Sequence, residues 1–538
     1  MGKNIYRYSG PRGNDGRPAW WTGVVYQIYP RSFADSTGNG IGDLEGIRQR
    51  LPYLSEVLGV DAIWLSPFYP SPQKDFGYDV ADYVNVAPEY GTLDDFDSLV
   101  KDFHAAGIRV IVDYVPNHSS DQHAWFIESA SSRDNDKRDW YVWADPKGDG
   151  SEPNNWLSVF GGKAWEWHEP TGQFYLHTFL KEQPDLNWRN PDVEAAMFDV
   201  LRFWMDRGVD GFRIDVAHYL VKDPEMRDNP PADPNAPSDH YKPMGEFGTL
   251  DHLYSKAHED IHPLYRRLRA VTDEYEDRYT IGEAHIFDWE EWATYFGANL
   301  DEMHQPFNFA LLNRATDPAS VRAVVAAQEG VLPDGAWPNY VIGNHDEPRL
   351  AKRYGQDSIR RLAVLLLTVR GTVTMYYGDE LGMLEGPTDL ALDPWGQNLE
   401  GVSRDGCRTP MQWTPEGGFS SSAKTWLPMG PDLENRNVES ELADPGSVLN
   451  LYRRLLAVRR SSEALMVGDY RDLPSGHDDV LMFERVTTDE RVIVCVNFGG
   501  DSVAVAVSGD VLVATDLRDG RADGSWTIEP HGAVVVRS

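Results

Sequence analysis

Three acidic residues close apolar runs, where a charge needs a reason. Asp215 ends Gly211-Phe-Arg-Ile-Asp, Glu283 ends Tyr279-Thr-Ile-Gly-Glu, and Asp346 follows Tyr340-Val-Ile-Gly-Asn-His. One such acid could cap a following helix or pair with an arginine. Three of them, with Arg213, His285, His345 and Arg349 beside them in sequence, point to chemistry instead. Cleaving a glycoside with retention needs two carboxyl groups ~5–5.5 Å apart across the bond, one to attack the anomeric carbon and one to pass the proton. Arg213 lies two residues before Asp215 and so on the same side of a strand. A cation there would keep Asp215 ionised and nucleophilic. Glu283 must instead begin protonated, its pKa raised by burial and neighbouring negative charge. Asp346 suits stabilising positive charge or gripping hydroxyls.

Two further clusters carry polar groups to the same end. Gly77-Tyr78-Asp79 follows the second apolar run, and Asp113-Tyr-Val-Pro-Asn-His118 follows the third. A lone histidine is more often structural, but His118 next to a strand-end acid reads better as a hydroxyl-binding group. A third segment, Asp35-Ser-Thr37-Gly-Asn39-Gly-Ile41-Gly-Asp43, spaces oxygen donors at alternate positions, as in a small-cation loop. The closing bidentate Glu of an EF-hand is missing, so spacing alone favours a Gly-rich turn.

These side chains need a scaffold that brings strand ends together. Residues 24–29, 62–65, 109–113, 211–215, 279–283, 340–343 and 373–377, with a weaker run at 303–309, are apolar nearly throughout and bounded by Gly, Pro or Asp. Parallel strands covered on both faces have that appearance. Amphipathic segments 44–58, 93–106, 193–207, 253–274 and 358–369 lie between them. Eight strands alternating with helices predict a (β/α)₈ TIM barrel, an α/β fold; periodicity alone also allows a doubly wound sheet. The Trp-, Gly- and Asn-rich stretch 119–189 is too long for a simple loop and is expected to be an inserted domain after strand three. A second insertion, 222–248, reads as a long loop. From 468 onward, short alternating runs at 480–485, 492–496, 503–507, 511–515 and 532–537 predict a C-terminal antiparallel β-sandwich. The resulting division is barrel 1–118, insert 119–189, barrel 190–467 and C-terminal domain 468–538.

Composition narrows the partners. With 50 Lys plus Arg against 85 Asp plus Glu, the formal charge is −35, which repels nucleic acid and anionic lipid. Met1–Arg17 is polar and Gly/Pro-rich, without the apolar run of a signal peptide, and nothing approaches a membrane span. Two cysteines, Cys407 and Cys495, fit a reducing compartment better than a disulfide-stapled design. The expectation is a cytoplasmic protein, a monomer or weak homo-oligomer, acting on a small neutral ligand without membrane or nucleic acid.

The motifs also carry a resemblance. Asp113-Tyr-Val-Pro-Asn-His118, Gly211-Phe-Arg-Ile-Asp215, Gly282-Glu283 and Asn344-His345-Asp346 resemble the four signature regions of the α-amylase family of glycoside hydrolases. Gln183-Pro-Asp-Leu-Asn187 resembles the fifth region of its oligo-1,6-glucosidase and α-glucosidase branch, and residues 21–46, 77–80 and 404–413 are similar to that branch too. The resemblance implies a retaining, exo-acting α-glucosidase with Asp215 as nucleophile, Glu283 as acid/base and Asp346 as transition-state stabiliser. It implies that Asp79, His118, Arg213 and His345 hold the terminal glucose, that Tyr78 stacks on it, and that Arg349, Arg404 and Phe160 complete the shell. No cofactor is implied for catalysis. A structural Ca²⁺ or Mg²⁺ is implied on Asp35, Thr37, Asn39, the Ile41 carbonyl and Asp43, although Thr37 and Asn39 replace the more usual Asn and Asp. Val216, directly after Asp215, stands where the branch tends to carry Val with α-1,6 activity and Thr with α-1,4 preference. A transglucosylase or a sucrose or maltose isomerase would use the same covalent intermediate. The family's non-catalytic barrels would require lost acids and a membrane helix, and the sequence has neither.

Overall fold

The computed structural model describes residues 17–233 and 244–538. Eight parallel strands form one sheet: β1 Val24–Ile28, β2 Ala62–Leu65, β3 Arg109–Tyr114, β4 Gly211–Ile214, β5 Tyr279–Gly282, β6 Gln305–Pro306, β7 Asn339–Val341 and β8 Thr372–Tyr376. Their order is β7-β8-β1-β2-β3-β4-β5-β6, which is chain order wrapped round on itself. The remaining seam is bridged by side chains from both of its strands, Gln305 and Asn339. Asn339 Nδ2 donates to the Pro306 carbonyl at 2.5 Å, and its Oδ1 accepts from Asn308 N at 3.0 Å. The result is a near-closed TIM barrel, as the alternation predicts.

Alternate residues of each strand feed two cores. Val24, Tyr26 and Ile28 face the helices, as do Ile63, Leu65, Val110 and Val112. Val25, Ala62, Trp64, Ile111, Tyr279 and Ile281 fill the barrel interior. Both faces are dry, which explains why the strands read as unbroken apolar runs. β6 is much shorter than its run because Pro306 has no N–H to continue the ladder.

Two helices are also shorter than their patterns, for the same chemical reason. The expected 44–58 helix stops at Leu44–Gln49, and Tyr53–Leu58 forms a separate π turn. Pro52 lies between them and cannot donate to the Arg48 carbonyl. The expected 253–274 helix begins only at Ile261 and runs to Thr272. Pro263 is tolerated in a first turn but would break a helix already under way.

Between β3 and β4, strands Trp143–Ala144, Trp165–His168 and Gln173–Leu176 make a small antiparallel sheet within the expected insert. Beyond residue 468 a six-stranded and a two-stranded antiparallel sheet enclose Met482, Ile493, Cys495, Val534 and Val536. The other face of the larger sheet, through Leu481, Phe483, Val494 and Val535, joins the main barrel core. The N-terminal stretch up to residue 16 and part of the expected loop, 234–243, lie outside the described residues. Among the described residues no helix is long and apolar enough to cross a membrane.

Candidate active site

Strands β3, β4 and β5 each end in an acid, and one guanidinium gathers all three. Arg213 on β4 donates from Nη1 to Asp113 Oδ1 at 2.7 Å and to Asp215 Oδ1 at 2.6 Å, and from Nη2 to Glu283 Oε2 at 2.5 Å. All four groups are buried. Adjacent nitrogens of one planar cation hold Asp215 and Glu283 side by side at the carboxyl ends of neighbouring strands.

Burial and neighbouring charge act differently on the two carboxyls. Burial pushes Asp215 well above the ordinary carboxylate range despite Arg213, and the charges of Glu283, Asp113 and Asp346 add to the rise. Glu283 is also opposed by burial, yet Arg213 and His285 carry it below its usual value. The hydrogen bonds give the reason. Glu283 receives Arg213, the Val216 amide at 3.0 Å and His285 Nε2 at 3.1 Å, whereas Asp215 is served by Arg213 Nη1. The two carboxyls share one guanidinium and titrate as a unit. Val216 makes its contact from a left-handed conformation, φ 36°, which is costly for a β-branched residue at about 1–3 kcal/mol.

Asp346 follows β7 and is held from below. Arg404 Nη1 and Arg408 Nη2 donate to its Oδ1 at 3.1 and 3.0 Å. Arg404 Nη2 also reaches Asp75 Oδ1 at 2.7 Å, and Asp393 anchors its Nε at 2.8 Å. Tyr78 stacks on His345 with ring centres 5.4 Å apart and planes 5° apart, its hydroxyl 2.8 Å from His345 Nε2. Gln183 Nε2 links Asp75 Oδ2 at 3.2 Å with His118 Nε2 at 3.1 Å. Burial lowers His118 to about 4 and His345 to about 3, so both are neutral imidazoles near pH 7.

Tyr78, His118, Phe160, Asp215, Glu283, His345, Asp346 and Arg404 all line one cavity at the barrel mouth. Arg213 lies beneath them as their clamp. Besides Arg213, two expected members do not line the cavity. The Asp79 carboxylate is spent inside its own loop, accepting from Ser71 Oγ at 2.8 Å, Lys74 N at 2.8 Å and Asp75 N at 3.0 Å. Asp75 lines the cavity in its place. Arg349 is drawn under the barrel mouth, donating to the Tyr377 carbonyl at 2.5 Å with its guanidinium carbon 4.6 Å from the Tyr376 ring centre. The sequence reading also missed Phe179, Tyr219, Phe247 and Trp395, which reach the cavity from separate segments of the chain.

The loop 35–43 contributes no residue to this cavity and is largely satisfied by its own hydrogen bonds. Asp35 accepts from the amides of Thr37, Gly38 and Gly40 and from Ser420 Oγ. Asp43 caps the following helix through Gly46 N at 2.6 Å and accepts from Ser36 N at 2.9 Å. Asn39 Oδ1 accepts from Ile41 N at 2.8 Å. A Ca²⁺ ion asks for six to eight oxygens. With these carboxylates already engaged, and no group of three or more His, Cys, Asp or Glu side chains among the described residues suited to a metal, the fit is incomplete.

Known proteins agree with this architecture. The family model described as alpha amylase, catalytic domain, matches residues 27–468. A probable alpha-glucosidase of Rhizobium meliloti is 43% identical over 90% of this chain and 90% of its own length. An oligo-1,6-glucosidase of Parageobacillus thermoglucosidasius is 36% identical over 92% and 93%. The crystal structure of an alpha-glucosyl transfer enzyme, XgtA, superposes with TM-score 0.90 at 38% identity, covering 97% of this chain and 99% of that one. With a near-closed barrel, acids at the ends of β4, β5 and β7, and likeness along nearly its whole length, the chain belongs to the α-amylase family of glycoside hydrolases.

Proposed function

We propose that the chain is a retaining, exo-acting α-glucosidase that releases glucose from disaccharides and short oligosaccharides. The observation that carries this reading is the pairing of Asp215 and Glu283 on one Arg213 guanidinium. That clamp favours the close spacing of a retaining pair over the ~6.5–9.5 Å gap that an inverting enzyme keeps for its water. In this reading Asp215 attacks the anomeric carbon while Glu283 protonates the departing oxygen. Glu283 then takes a proton from the water that hydrolyses the glucosyl ester. Catalysis needs the pair's proton on Glu283 and Asp215 ionised. The glycosidic oxygen beside Glu283 gives that proton a destination, and bond formation at Asp215 consumes the charge it leaves. Asp346, tied to Arg404 and Arg408, stabilises positive charge on the sugar ring, and Asp75, His118, His345 and Arg404 hold its hydroxyls. The two buried free cysteines favour a cytoplasmic location.

Val216 lines the cavity directly after Asp215, so its side chain meets the linkage. The expected outcome of a panel of maltose, isomaltose, sucrose, trehalose and maltotriose is a higher kcat/KM for isomaltose than for maltose. A strong maltose preference would discard α-1,6 selectivity. Product identification in the same panel separates the second reading, transfer or isomerisation, which the likeness to the glucosyl transfer enzyme favours. Free glucose marks hydrolysis, and new disaccharides mark transfer.

A Ca²⁺ or Mg²⁺ on loop 35–43 is proposed as a weak contributor to stability, with no step of catalysis routed through it. Since the loop's hydrogen bonds hold it together, EDTA should lower Tm by no more than about 2 °C. A fall of ~10 °C, reversed by Ca²⁺, would mean that a tightly held ion organises the loop.

A further inference from the structure

Glu283 presents its two carboxyl oxygens to different neighbours. Oε2 accepts from Arg213 Nη2 at 2.5 Å and from the Val216 amide at 3.0 Å. Oε1 meets His285 Nε2 at 3.1 Å, and among the described residues no other group donates to it. Two N–H donors aimed at Oε2 hold that oxygen as an acceptor, so a proton on this carboxyl belongs on Oε1. His285 takes one side of Oε1 and leaves the other for that proton. Both residues line the cavity into which the departing oxygen must come.

The imidazole is held from behind by two rings. His285 lies flat on Phe309, ring centres 4.6 Å apart and planes 20° apart, and Phe309 lies on Phe307 at 5.2 Å and 22°. Phe307 is packed into the barrel interior with Trp64, 5.9 Å away. The stack follows from the strands: His285 comes shortly after β5, Phe307 and Phe309 shortly after β6, and these two strands are hydrogen-bonded neighbours. Offset stacking resists rotation of the imidazole, so Nε2 stays aimed at Oε1. Phe309 is buried and does not line the cavity; it borders a separate small hollow with Ala284, Ile286 and Trp292. Its route to the chemistry runs through His285.

Other charged groups surround the acid without touching Oε1. Arg213 and Asp215 reach Glu283 from β4, Asp113 from β3, and His345 and Asp346 from the segment after β7. His218 and Tyr219 face it from the turn after β4, and Lys256 faces His218. Burial raises Glu283, Arg213 lowers it, and the hydrogen bond from His285 lowers it further.

We propose that Phe307 and Phe309 form a stacked support for His285, which positions Oε1 of Glu283 as the atom that delivers the proton. The inference rests on the reading of Glu283 as acid/base given above. In the bond-breaking step the Oε1 proton passes to the glycosidic oxygen, which also keeps the electron pair of its bond to C1, while Asp215 bonds to C1. His285 keeps its own proton throughout and donates to the carboxylate that Oε1 becomes.

The test compares kcat/KM for maltose, whose leaving group needs a proton, with kcat/KM for α-glucosyl fluoride, whose leaving group does not. His285→Leu should lower the maltose-to-fluoride ratio by ~10-fold or more. It should also move the basic limb of the maltose profile up by about one pH unit, because ionised Glu283 loses a hydrogen bond and keeps its proton to higher pH. His285→Gln, which retains a side-chain N–H, should restore most of the ratio. Phe309→Leu keeps an apolar side chain but removes the flat face, and should lower the ratio several-fold. In the His285→Leu background, Phe309→Leu should change the ratio no further, since its effect travels through the imidazole. Both rates come from one preparation, so the ratio does not depend on how much of the enzyme is folded. Equal losses on the two substrates in His285→Leu, or a Phe309→Leu effect that persists without the imidazole, would overturn the proposal. A Glu283→Gln variant that fails to separate the two substrates would instead overturn the acid/base reading, and the positioning role with it.

Discussion

Asp215→Asn is expected to slow turnover of maltose and isomaltose by ~10⁴–10⁶-fold, the scale of removing a covalent nucleophile. The amide occupies the same volume but cannot form a glucosyl ester. Its structural cost should be small, for reasons visible in the site. Arg213 keeps Asp113 and Glu283 as partners when the Asp215 charge is removed. Burial already disfavours the Asp215 carboxylate, so a neutral isostere removes a charge that the fold holds at a cost. Tm should therefore stay level or rise slightly. Rate and Tm measured on the same preparation separate chemistry from folding. Turnover within tenfold of the parent chain, with Tm unchanged, would remove Asp215 from the nucleophile's role.

The barrel was legible because its strands are dry on both faces. Burial of that kind writes unbroken apolar runs into β1 through β5, and the acids that end β4 and β5 stand out against them. The short C-terminal strands Asp469–Leu473, Arg521–Asp523 and Trp526–Ile528 were not, since they are mostly exposed and lack a clear alternation. Within the site, Asp75 and Asp79 are four residues apart on one loop, and periodicity has no power to choose between them. The choice is made by Ser71 and by the Lys74 and Asp75 amides, which consume one carboxylate and leave the other to Arg404 and Gln183. Arg349 sits three residues after Asp346, yet the chain turns it onto Tyr376 and Tyr377, two rings that a linear reading cannot place beneath it. The hydrogen bonding of Glu283 was hidden for a similar reason. The Val216 amide and His285 converge on Glu283 only when β4 and β5 lie side by side. The apolar wall of the cavity, Phe179, Tyr219, Phe247 and Trp395, needs four distant segments to meet before it exists at all.

Glu283→Gln should divide substrates by what their leaving groups need. The glucose that leaves maltose is a poor leaving group that requires a proton, so maltose turnover should fall by ~10²–10⁴-fold, the usual contribution of a general acid. Glucosyl fluoride needs no proton, so it should still load Asp215, giving a burst of one fluoride per enzyme. Steady turnover then stalls because water lacks its base. Azide, already a nucleophile at neutral pH, should relieve that block and yield α-glucosyl azide, the product of retention. The pH profile carries a second sign. Glu283 is one of the charges that raise Asp215, and it shares the guanidinium that opposes the rise. Without its charge, Asp215 ionises more readily, so the acidic limb of kcat/KM for glucosyl fluoride should move to lower pH. A limb that stays in place would mean that the two carboxyls do not share a proton. Equal losses on maltose and on the fluoride burst would remove Glu283 from the acid's role, because a group that only shaped the pocket would not distinguish one leaving group from another.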